Sequence, residues 1–142
     1  MTMKKLILGI AAISLLAGSA ALAADDDHRL DAAWKAAVED NEGMLTPAQV
    51  AGLNILAFES AAARLCEGFK LDEKKYATSV AQVITGGEKL SEEDQVQRLS
   101  AVMFRLGTAN GLFLSEGALN AESFCAQAAQ EKADKDNPHN WQ

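Results

Sequence analysis

Residues 45–68 read LTPAQVAGLNILAFESAAARLCEG, and this stretch decides the fold. Thr46 places a side-chain oxygen ahead of Pro47, and Gln49 follows three residues later. Such an oxygen accepts from backbone N–H groups that the first helical turn leaves unpaired. Proline is tolerated at the first helical position because its missing N–H would be unpaired anyway. Val50, Leu53, Ile55, Leu56, Phe58, Leu65 and Cys66 then leave few polar positions. The pattern predicts a helix over about 47–68 that is apolar almost all round, and such a helix belongs at the centre of a bundle.

The same grammar recurs outward from this helix. Leu71-Asp72, Leu90-Ser91 and Leu119-Asn120 each set a leucine before a capping residue, as Leu45-Thr46 does. They predict helices over about 73–85, 92–114 and 121–133, and Gly86-Gly87 should stop the first of these. In the third helix Tyr76, Val80, Val83 and Ile84 should point inward. In the fourth, Val96, Leu99, Val102, Met103, Leu106 and Phe113 should do so. An earlier helix over about 27–39 offers Leu30, Ala33, Trp34, Ala37 and Val38 as one face, with Asp25, Asp26 and Asp27 at its positive end. No sustained two-residue alternation appears. The fold class is therefore all-α, a bundle of four to five helices.

Lys4 and Lys5 precede an apolar run, residues 6–16, and small residues lead to Ala21-Leu22-Ala23. This is the pattern of a secretory signal peptide over residues 1–23. The run is too short for a transmembrane helix, which needs about 20 apolar residues. We expect a mature protein in the periplasm, or secreted beyond it. Its helical domain should occupy 24–133, with 134–142 as a polar tail. In an oxidising compartment the only two cysteines, Cys66 and Cys125, should form one disulfide.

The chain carries 13 basic and 20 acidic side chains. Removing Lys4 and Lys5 leaves 11 against 20, a net charge of −9. No dense basic cluster exists, so nucleic acid is not an expected partner. Asp25-Asp26-Asp27-His28 and Asp40-Asn41-Glu42-Gly43 lack the spacing of metal sites, and no metal or cofactor is expected. His28 and His139 both lie outside the predicted bundle, which argues against Ser-His or Cys-His catalysis.

Two features invite a functional reading. Asn54, Arg64, Arg105 and Asn110 interrupt apolar helices, so they should either pair with one another or with Glu59 and Glu67, or line a small pocket. Gly107 and Gly111, four apart, should mark either close helix contact or a binding groove, since glycine costs about 1 kcal/mol inside a helix. In the tail, His139 and Trp141 should either dock a partner, fold onto the bundle or stay disordered.

These readings point to a non-enzymatic protein that binds another envelope or secreted protein, as a specific inhibitor or neutraliser, or as an acid-responsive chaperone. In size, helical content and single disulfide the chain resembles the acid-activated periplasmic chaperones of enteric bacteria, in type only. None of their local sequence surrounds Cys66 or Cys125, so no residue is carried over. The competing expectations are a ligand carrier or enzyme using the Gly107–Gly111 face, and a structural envelope component.

Overall fold

The computed structural model describes residues 30–39 and 44–142. Five helices follow one another: α1 (Asp31–Glu39), α2 (Pro47–Leu65), α3 (Glu73–Thr85), α4 (Glu92–Leu119) and α5 (Ala121–Ala133). The expected signal peptide, the start of the first helix, His28 and the acidic loop over 40–43 lie outside the described residues.

The caps explain where the helices begin. Thr46 Oγ1 accepts from Gln49 N, and the Gln49 side chain accepts from Thr46 N, a reciprocal box. Asp72 accepts from the N–H groups of Lys74 and Lys75, and Ser91 from that of Asp94. Gly86 adopts a left-handed conformation at φ 57° and ends α3. Asn120 caps two helices at once, closing α4 with its N–H and opening α5 with its side chain.

Helix α4 outruns the expected end near residue 114 and continues to Leu119. Nothing in the Ser115–Leu119 stretch stops a helix except Gly117, and Gly117 is buried against α5 instead. A Cβ at that position would sit about 3.1 Å from the Phe124 ring. Glycine there permits the tight α4–α5 corner.

Helix α2 is central and packs against α3, α4 and α5. Two core clusters lie along it. One gathers Leu45, Leu53, Leu56, Ala101 and Val102, with Tyr76, Val80, Val83 and Ile84 of α3 packed on it. The other gathers Phe58, Ala61, Ala62, Cys66, Phe124, Ala128 and Trp141. Cys66 and Cys125 form the disulfide, which joins the end of α2 to α5.

Residues 134–142, polar by composition, lie against the bundle as a strap. Trp141 forms an antiparallel bridge with Leu71, and Gln142 N donates to Lys70 O at 2.9 Å. Trp141 is only 1% exposed. Among the described residues, no helix is long and apolar enough to cross a membrane.

Candidate functional site

The polar residues inside apolar helices act mainly as ties between helices. Arg105 on α4 donates through Nη2 to Asn54 Oδ1 on α2, at 2.9 Å, and through Nη1 to the Ala37 carbonyl on α1. That carbonyl lies in the last turn of α1, the negative end of its dipole, where a cation is favoured. Arg105 is 1% exposed, and burial pulls its pKa below the ordinary value, yet a guanidinium stays charged at any physiological pH. Its Nε has no partner among the described residues. Asn110 Nδ2 donates to the Ala57 carbonyl at 3.0 Å, a second tie between α4 and α2.

Arg64 does not join this group. It is exposed, at the end of α2 and about 15 Å along the helix from Asn54. Glu59 does not join it either. Its carboxylate is buried under the strap, where Oε1 accepts from Asn140 N at 2.9 Å and Oε2 from Asn140 Nδ2 at 2.7 Å. The Glu59 carbonyl accepts from Trp141 Nε1 at 3.0 Å. Asn140 Oδ1 accepts from Ser79 Oγ at 2.8 Å, which links α3 into the clasp. Trp141 is thus core, and its indole is not available to a partner while the strap is seated. His139 is half-buried, 5.5 Å from the Trp141 ring, and its Nδ1 has no partner among the described residues.

Gly107 and Gly111 have nothing within 4 Å of the position a Cβ would take, and both are exposed. Neither makes a close helix contact among the described residues. They continue an outer face of α4 that also carries Val96, Leu99, Met103 and Phe104, exposed by 64%, 44%, 55% and 58%. Positions 96, 99, 103, 107 and 111 recur at helical spacing and therefore share one side. Of the α4 residues expected to point inward, Val102 is buried, and Leu106 and Phe113 pack on the core, while Val96, Leu99 and Met103 point out. Helix α4 has two apolar faces, and the bundle covers one.

Comparison with protein-family models, curated proteins and solved structures finds no match to this chain.

Among the described residues, no group of three His, Cys, Asp or Glu converges on a metal-sized site. Both cysteines are committed to the disulfide. A groove of about 420 Å³ runs between α2 and α3, but Gln49 Nε2 already donates across it to the Val83 carbonyl at 2.7 Å. Helix α1 lies on α4, where Trp34 meets the Phe113 ring edge-on at 4.8 Å and its Nε1 donates to Glu116. The acidic first turn of α4, Glu92, Glu93 and Asp94, is exposed beside the start of the apolar face.

The Glu59–Asn140 clasp and the role of Gly117 were missed by pattern reading. A lone acid in the apolar run of α2 was the available signal for the first. For the second, no sequence signal separated Gly117 from Gly107 and Gly111.

Proposed function

We propose that this protein is exported and acts without catalysis, by binding another protein through the outer face of α4. One observation carries the reading: Val96, Leu99, Met103 and Phe104 are exposed together on the longest helix. Single exposed apolar residues are ordinary on protein surfaces. A contiguous group of large ones along one helix face marks an interaction surface.

The face has a stated length and charge. From Val96 to Gly111 it runs about 22 Å, at roughly 1.5 Å per residue. Its far end lacks side chains at Gly107 and Gly111, so a partner backbone can approach closely there. Its near end is flanked by Glu92, Glu93 and Asp94 on a chain of net charge −7. The partner that fits is an amphipathic helix of another protein, apolar along one side and basic at the end that meets the start of α4. A second copy of this chain fits less well, since its own α4 face would bring no basic residues to that acidic turn.

The test is capture from the host's periplasmic extract at neutral and at acidic pH, with a Met103→Glu/Phe104→Glu variant as the control. A single partner that is held by the wild type and released by the variant supports the reading. Many unrelated partners appearing only in acid would assign a chaperone instead, and equal capture by both proteins would overturn the assignment to α4.

A further inference from the structure

The strap closes over a second feature, independent of the α4 face. Helices α2, α4 and α5 and residues 137–141 line an open-sided cavity of about 200 Å³. That volume equals about six or seven waters at roughly 30 Å³ each, room for a small organic molecule.

The chemistry of its wall is one-sided. The base is aromatic: Phe58 and Phe113 meet edge-on at 5.4 Å, and Phe58 meets Trp141 at 6.3 Å. Ile55, 49% exposed, stands at the mouth. Two carboxylates, Glu59 and Glu131, and one imidazole, His139, line the cavity, and among the described residues no Lys or Arg does.

The two carboxylates differ in what they have left to give. Glu59 spends both oxygens on Asn140. Glu131 accepts only at Oε2, from Asn137 Nδ2 at 2.9 Å, and its Oε1 has no hydrogen-bond partner among the described residues. The Asn137 bond fixes the Glu131 carboxylate on the rim while leaving one oxygen open. Asn54 is also half-committed, since its Oδ1 is held by Arg105.

We infer that this cavity is a binding site for a small organic cation, an amine with a short apolar body. The ammonium meets Glu131 Oε1 in a charge-assisted hydrogen bond, and the body lies on Phe113 and Ile55. Aromatic edges and faces around the site add attraction for the cation once it is partly desolvated. An anion of the same size meets two carboxylates and, among the described residues, no Lys or Arg, so it is disfavoured. A neutral molecule gains the apolar contacts alone.

The experiment titrates the oxidised full-length protein with phenethylamine, phenethyl alcohol and hydrocinnamate, which share a ring and differ in charge. Calorimetry reads affinity, and the His139 imidazole proton resonances report whether binding occurs under the strap. The amine should bind about tenfold more tightly than the alcohol, the scale of one charge-assisted hydrogen bond, and hydrocinnamate should not bind. Glu131→Gln should lower amine affinity about tenfold and leave the alcohol unchanged. Its amide oxygen still accepts from Asn137, so the strap stays seated, and an unchanged circular dichroism spectrum checks this. Equal affinity for amine and alcohol, no binding of the amine, no shift at His139, or no effect of Glu131→Gln would each overturn the site.

Discussion

Replacing Trp141 with alanine should destabilise the protein by about 4 kcal/mol, although the residue is next to last in the sequence. The side chain is 1% exposed and meets Phe69 at 5.0 Å and Phe58 at 6.3 Å. Truncating a buried tryptophan costs about 3–5 kcal/mol in lost burial and cavity. Its Nε1 bond to the Glu59 carbonyl adds about 1 kcal/mol, because that carbonyl loses its donor. Some of this is recovered if the strap collapses or peels away, which is why the lower part of the range is used. Against a total stability of about 5–15 kcal/mol for a domain, such a loss is severe. The assay is urea unfolding of the oxidised protein followed by far-ultraviolet circular dichroism, with Trp141→Phe alongside. The phenylalanine variant keeps most of the apolar volume and loses the indole bond, so it should cost about 1–2 kcal/mol. A loss below about 1 kcal/mol for Trp141→Ala would refute the placement of the strap in the core.

Four other outcomes follow from the same geometry. Gly107→Ala and Gly111→Ala should each stabilise the free protein by about 0.5–1 kcal/mol in thermal unfolding, since both Cβ positions face open space, while weakening any partner seated on α4. Gly117→Ala should instead destabilise it by about 1–3 kcal/mol, because the new methyl crowds Phe124 and Leu65; a neutral result would mean the α4–α5 corner is looser than described. Replacing Cys66 and Cys125 with serine should cost about 4 kcal/mol in the chain-entropy account, given a sequence separation of 59 residues, as read by the shift of the urea midpoint. Burial pushes the phenol of Tyr76, the only tyrosine, above its ordinary 10.0, with Glu59 adding to the rise and Ser60 and Arg64 opposing it. The unfolded phenol therefore ionises first, and stability should fall as pH rises beyond about 10; a phenolate absorbance midpoint at or below 10 in the folded protein would contradict this.

Helix starts were the most legible part of the fold, because capping is local chemistry. Thr46 with Gln49, Asp72, Ser91 and Asn120 all cap as their sequence contexts suggest. The disulfide was legible from cysteine count and the expected compartment. The outer face of α4 was not legible, because apolar residues surround more of that helix than one neighbour can cover. Periodicity alone put Val96, Leu99 and Met103 on the buried side. The glycines failed because azimuth does not separate them: Gly117 lies about five full turns beyond Leu99, on the same side of α4, and is buried only because Phe124 of α5 and Leu65 fold over that end of the helix, while nothing described packs at Gly107 or Gly111. The strap escaped notice because its order comes from contacts far away in sequence. Asn140 and Trp141 meet Glu59 across more than 80 residues, and a polar composition hides such a clasp. Of the polar cluster, the pairing of Asn54 with Arg105 lay within the expected alternatives, while Arg64 stands exposed at the end of α2, too far along the helix to join it.

The central claim, that the outer face of α4 is the working surface, is tested most directly by photo-crosslinking in a cell that expresses the chain. A photoreactive residue would be placed at Met103 or Phe104, and as a control at Thr78 on the exposed side of α3. The account predicts one dominant adduct with a single other protein from positions 103 and 104 and none from 78. Purified, that partner should bind the Met103→Glu variant at least tenfold more weakly than wild type, as expected for a central apolar contact. Adducts of equal yield from both faces, an adduct only with a second copy of this chain, or no adduct from α4 would contradict it.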